Sequence, residues 1–183
     1  MIFSFGGGTR RLVLIAATVL TLSLSACSSD DQPADDPTAT ASTSTPDPKA
    51  ADEAAVKDLV DRFWDTVVAS ENEGNTDPKQ FAGVANGVFV ESQLATLKRY
   101  KKIGLLRVGK PVISDVEVTI AGDSADIKLC KNEDGWTAEQ DGEPVPNDKK
   151  FGSAPWGAAA TKVDGTWLVT DVRLPPKGSK TCA

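Results

Sequence analysis

The 183-residue chain carries 20 Lys+Arg against 26 Asp+Glu and no histidine, a net charge of −6. Without histidine, Ser-His-Asp, Cys-His and imidazole acid–base chemistry are excluded. The acidic balance argues against nucleic acid as a partner. Three cysteines with no paired CxxC leave no zinc pattern, so no metal and no cofactor is expected.

Arg10 and Arg11 precede an apolar run from Leu12 to Leu22, broken only by Thr18 and Thr21. Ser23 to Ala26 closes it with mostly small residues. This is the order of a secretory signal: charge, apolar stretch, cleavage region. The run is about half of the ~20 residues that a membrane-spanning helix needs. Leu24-Ser25-Ala26-Cys27 closely resembles the lipobox of bacterial lipoproteins. That resemblance implies diacylglycerol on the Cys27 sulfur, cleavage before Cys27 and acylation of the new amino terminus. Two or three acyl chains anchor stably where one does not. The implied location is the outer face of the cytoplasmic membrane, with the membrane itself as a partner through Cys27.

The expected domain organisation is a signal at 1–26, a lipidated cysteine and tether at 27–48, and one folded domain at 49–183. From Ser28 to Pro48 there is no aromatic, Leu, Ile or Val. Such a segment buries too little apolar surface to offset its ordering entropy, and it reads as a flexible tether. Its typical span is about 25 Å, which keeps the domain close to the bilayer. Removing residues 1–26 takes away two arginines and no acid, moving the net charge from −6 to about −8. With Cys27 lipidated, Cys130 and Cys182 remain, and an even pair in an exported domain reads as a disulfide. The competing reading is two free buried thiols or an intermolecular link.

The first helix is the clearest element. Val56, Leu59, Val60, Phe63, Trp64, Val67 and Val68 recur at three-four spacing and form one apolar stripe. Asp47 suits its cap and Pro48 its first turn, with an end near Glu71–Gly74. Asp61 and Asp65 flank the stripe and are expected to face solvent. Asn75 to Asp77 reads as a turn and Pro78 to Val84 as a short helix. Asn86 reads as the cap of a further helix, with Val90, Leu94 and Leu97 on one face and Gly104 at its end. Lys98, Arg99, Lys101 and Lys102 surround Tyr100 in its last turns. They form a candidate basic patch, although cations also favour a helix C-terminus for electrostatic reasons alone.

Strands follow. Val112, Ser114, Val116, Val118 and Ile120 alternate with Ile113, Asp115, Glu117, Thr119 and Ala121, which predicts a half-buried strand with the first set on its apolar face. Gly122-Asp123 turns it into Ala125–Lys131. Asn132 to Lys150 reads as a long hairpin or loop with a short strand at Trp136–Glu139. Ala154–Val163 and Thr166–Leu174 flank the hairpin signal Asp164-Gly165, and Pro175-Pro176 ends the sheet.

Helices first and strands second predict an α+β fold. The long amphipathic helix, the shorter helices and a four- or five-stranded antiparallel meander ending in "DGTWLVTDVRL" resemble the nuclear-transport-factor-2-like superfamily. The resemblance implies N-terminal helices packed on a curved antiparallel sheet around a cone-shaped cavity. A cystatin-like helix-on-sheet fold without the cone is the nearest alternative. The lipobox, the tether, "DIKLC" and the late cysteine are similar to exported lipoproteins of high-GC Gram-positive bacteria or their phages. Enzymes of the superfamily, among them isomerases, dehydratases and cyclases, place Asp, His or Tyr in the cone. Histidine is absent here, and no convergent titratable pair is legible, so a non-enzymatic binding or interaction module is expected. The alternatives are a small apolar ligand held in the cone, or an isomerase- or cyclase-type enzyme. Phe63, Trp64 and Tyr100 are the candidate pocket wall. A filled cone would favour a protein partner, an apolar cavity a ligand, and a buried carboxylate of shifted pKa an enzyme.

Overall fold

The computed structural model describes residues 47–147, 149–173 and 182. The expected signal sequence, Cys27, the tether up to residue 46 and the Pro175-Pro176 break lie outside these residues.

Helix α1 runs Pro48–Glu73. Asp47 caps it by accepting from the Lys49 amide, and Gly74 closes it at φ +62°, a left-handed conformation that costs glycine no Cβ clash. Its apolar stripe is buried: Val56, Leu59, Val60 and Phe63 are at most 2% exposed, which makes this face the main anchor of the core. Burying side chains of that size contributes about 1.5–3 kcal/mol each. A single 3-10 turn, Pro78–Phe81, sinks Phe81 into the core beneath the second helix. Helix α2 spans Gly87–Lys102. Its buried face includes Phe89 and Leu97, while Val90 and Leu94 are half-buried, so the expected face is rotated toward Phe89. Asn86 precedes α2 but makes no side-chain capping bond.

Among the described residues seven strands follow: β1 (Leu105–Gly109), β2 (Val112–Ala121), β3 (Ser124–Asn132), β4 (Trp136–Gln140), β5 (Glu143–Pro144), β6 (Ser153–Val163) and β7 (Thr166–Arg173). β2, β3, β6 and β7 form the expected four-stranded antiparallel meander, and β1, β4 and β5 form a second sheet beside it. One sheet has the order β2-β3-β6-β7 and a second has the order β1-β4-β5, all antiparallel. β1 went unread in the sequence because its partner β4 lies about thirty residues away and no turn signal joins them. The segment after Asn132 takes the hairpin alternative: the expected strand at Trp136–Glu139 is β4, and it pairs with β5 through a reversal at Asp141 (φ +53°) and Gly142 (φ +85°).

Two register shifts rephase the larger sheet. In β2 the pairing moves from Ser114 opposite Cys130 to Glu117 opposite Lys128, one extra residue, with Asp115 at φ +53°. The expected alternation therefore breaks: Ile113 faces the core with Val116, Val118 and Ile120, and Val112 is 64% exposed. In β7 the extra residue is Thr170, so Trp167 and Val169 share the core face with Val172. Such bulges bend and twist a sheet. α1 packs against β1, β2 and β7, and α2 against β7 and β1. The outer edge of β7 is covered by a parallel bridge from Ala85, with Val169 N–H donating to Val84 O and Asn86 N–H donating to Val169 O. The class is α+β, helices packed on antiparallel sheets, as element order implies.

Cys130 and Cys182 form a disulfide with Cα atoms 5.7 Å apart. Cys130 is 1% exposed on the sheet face opposite Ile127 and Leu129.

Candidate functional site

Between the helices and the sheets lies a partly open cavity of about 340 Å³. Its apolar side is an aromatic cluster. Phe63 and Phe89 lie 4.8 Å apart between ring centres, Trp64 and Trp156 5.0 Å, and Phe63 and Trp156 6.0 Å. The candidates Phe63, Trp64 and Tyr100 all line this cavity, together with Trp136 and Val172. The Trp64 indole N–H is buried without a hydrogen-bond partner.

The polar side is built by the last turns of α1 and by β1. Glu71 lies four residues past Val67 and seven past Trp64, so it continues the apolar stripe inward. Its side chain is only 9% exposed. Gln93, on α2 four residues past Phe89, donates to Glu71 Oε1 at 2.7 Å. Arg107 comes from the centre of β1. Its guanidinium stacks 3.9 Å from the Trp136 ring centre, donates to the Thr137 and Trp136 carbonyls, and lies 4.0 Å from Glu71 Oε2. Trp136 N–H donates to Asn72 Oδ1 at 3.1 Å, and Asn72 Nδ2 donates to Gly109 O at 2.8 Å. These bonds lock the end of α1 onto β1 and β4. Lys131 pairs with Glu133 at 2.8 Å and sits 5.3 Å from the Trp64 ring centre.

Burial pushes the Glu71 carboxyl above the ordinary glutamate range, and the charge of Glu133 acts in the same direction. The Gln93 hydrogen bond, Arg107 and Lys131 oppose that shift without overcoming it. The sequence reading missed Glu71, Gln93, Arg107 and Trp136. The signal for Glu71 was present: an acid on the i+4 and i+7 positions of an apolar stripe.

Lys98, Arg99, Lys101 and Lys102 are exposed at the end of α2, outside the cavity, and the Arg99 guanidinium lies 5.9 Å from the Tyr100 ring centre. Asp61 and Asp65 are exposed and line a separate surface hollow with Lys110 and Pro111. Among the described residues, no group of three acids or cysteines is placed to hold a metal, and no helix is long and apolar enough to cross a membrane.

No protein-family model matches this sequence, and comparison with curated proteins gives no match. Among solved structures the chain is similar to the intermembrane-space region of the chloroplast protein ARC6, with a TM-score of 0.51 and 11% identity over 67% of this chain and 97% of that one. It is also similar to the Kfla4162 protein of Kribbella flavida, 16% identical over 68% of this chain and 90% of that one, TM-score 0.46. An NTF2-like protein with a cystatin-like fold from Novosphingobium aromaticivorans is 11% identical over 71% and 86% of the two chains, TM-score 0.37. At these identities the likeness concerns fold alone.

Proposed function

We propose that the chain is an exported lipoprotein, anchored by lipid on Cys27 to the outer face of the cytoplasmic membrane, whose folded domain binds a small molecule in the cavity without transforming it. The observation that carries the binding reading is the cavity of about 340 Å³, walled by Phe63, Trp64 and Trp156 and edged by Glu71, Gln93 and Arg107. Ligand sites combine an apolar wall with a few placed polar groups, in volumes of roughly 300–1,000 Å³. A domain that served only as a protein-docking module would fill this space with its own side chains. The lipid anchor is supported by Leu24-Ser25-Ala26-Cys27 at the end of a signal-like segment. The non-enzymatic reading is supported by the absence of histidine and by Glu71 having Gln93 as its hydrogen-bond donor and Arg107 as its ion-pair partner.

Native mass spectrometry of the protein purified from its own host tests this. A stoichiometric small molecule, recovered chemically unchanged, is the expected result. A protein partner and an empty cavity would overturn the reading. One observation favours a second reading, an isomerase- or cyclase-type enzyme: a buried carboxylate with a raised pKa does face the cavity. A bound molecule that leaves the protein altered would support that reading instead.

A further inference from the structure

We infer that the cavity selects uncharged ligands that join a flat apolar body to a hydroxyl or other neutral hydrogen-bond donor, the donor meeting Glu71. This rests on the small-molecule reading above and adds the chemical class of the ligand.

Three observations lead to it. First, the Glu71 side chain is nine-tenths buried, and among the described residues one of its two carboxylate oxygens accepts a hydrogen bond. Oε1 accepts from Gln93 at 2.7 Å, whereas Oε2 has Arg107 at 4.0 Å, beyond hydrogen-bond reach. Glu71 lines the cavity, so a ligand O–H or N–H there would meet a carboxylate oxygen as acceptor, a stronger partner than a neutral one. Second, a cationic donor is disfavoured. The protein's own cations already sit over two of the aromatic rings, Arg107 at 3.9 Å from Trp136 and Lys131 at 5.3 Å from Trp64. An ammonium ligand would meet these charges at close range. Third, an anionic ligand is disfavoured because Arg107 and Lys131 are balanced by Glu71 and Glu133 around the same cavity. A net charge brought into this partly buried set would go uncompensated. The flat body is assigned to the cavity wall that Phe63, Trp64, Trp136 and Trp156 supply.

The test is calorimetric titration of the full chain with four probes that share one ring system: 2-naphthol, naphthalene, 2-naphthoate and 2-naphthylmethylammonium. The expected result is that 2-naphthol binds about tenfold or more tightly than naphthalene, the scale of one hydrogen bond to a charged acceptor, and more tightly than either ion. Glu71→Gln should lower the naphthol-to-naphthalene ratio several-fold, because the hydroxyl then meets a neutral amide in place of a carboxylate. In that variant the amide carbonyl takes the Gln93 bond and an amide N–H₂ faces the ligand. Should the variant fail to fold, the ranking on the unmodified chain decides alone. Equal binding of 2-naphthol and naphthalene would overturn the inference and leave the cavity reading standing. Tightest binding of either ion would overturn it in the same way, and 2-naphthoate would reassign selection to Arg107 and Lys131. If none of the four binds, the cavity reading falls and the inference falls with it.

Discussion

Glu71 is a glutamate in a buried setting, where its type is seldom found. It sits on the buried face of α1, and its ionised form is disfavoured by burial more than Gln93 and Arg107 favour it. Its folded pKa is therefore raised. Between the unfolded and folded values the native state holds more protons than the unfolded state, so the cost of the buried charge is fully present above the folded pKa. It is relieved as pH falls through that value and gone below the unfolded one. Glu71→Gln removes the charge and keeps the shape. The variant should melt no lower than the parent near pH 8, and the parent should gain on the variant as pH is lowered toward 5. Thermal unfolding followed by circular dichroism across that range checks it, and a difference that does not change with pH would refute a strained, buried carboxylate. Asp52 has the opposite sign. It accepts from Lys162 at 2.6 Å and from the Trp167 indole at 3.1 Å, and these bonds hold its carboxyl below the ordinary aspartate range. Its contribution is present above the unfolded pKa and lost as pH falls through the folded one. Asp52→Asn should therefore cost stability at neutral pH and flatten the acid limb of the stability profile.

At the scale of elements, the cavity depends on where β1 meets β4. Gly109 pairs with Trp136 at φ +87°, and a Cβ there would overlap the Gly135 carbonyl oxygen. Gly109→Ala combines backbone strain with a steric clash and should cost about 2–4 kcal/mol. Gly142, at φ +85° in the β4–β5 turn, has open space around its Cβ position. Gly142→Ala should show the strain alone, about 1 kcal/mol. Urea unfolding midpoints of the two variants give the comparison, and equal losses would show that close approach of β1 to β4 is not what constrains Gly109. Binding of the naphthalene probes should suffer in Gly109→Ala, because β1 carries Arg107 and β4 carries Trp136.

At the scale of the whole molecule, one covalent link is seen and a second, the lipid on Cys27, is proposed. The Cys130–Cys182 bridge closes a separation of 52 residues and links Cys182 to β3. Loop-closure entropy assigns such a bridge about 4 kcal/mol as an upper figure, and native strain lowers it. Replacing both cysteines with serine should cost about 2–4 kcal/mol, read from unfolding midpoints with and without reductant on the parent. Loss of stability in the parent on reduction, absent in the double variant, is the diagnostic pattern. In the proposed reading, Cys27 governs location. Cys27→Ser should release the protein to the medium or leave an uncleaved precursor, and normal processing with retention at the membrane would remove the lipid anchor from the proposal.

What the chain declares locally, it declares in its sequence. The apolar stripe of α1, the Asp47 cap, the Asp164-Gly165 hairpin and the order of helices before strands are each set by residues within a few positions of one another, so period and turn chemistry expose them. The aromatic pair Phe63-Trp64 is legible for the same reason. The tertiary structure decided what depends on distant partners. β1 exists because β4 pairs with it from about thirty residues away, and Glu71 is buried because α2 and β1 close over it. The bulges at Asp115 and Thr170 reassign which residues of β2 and β7 face the core, and no alternation rule reveals an extra residue whose only signature is a shift against its neighbour. Local propensity is a property of the segment, whereas register, burial of a charge and the space left between layers belong to the assembled fold.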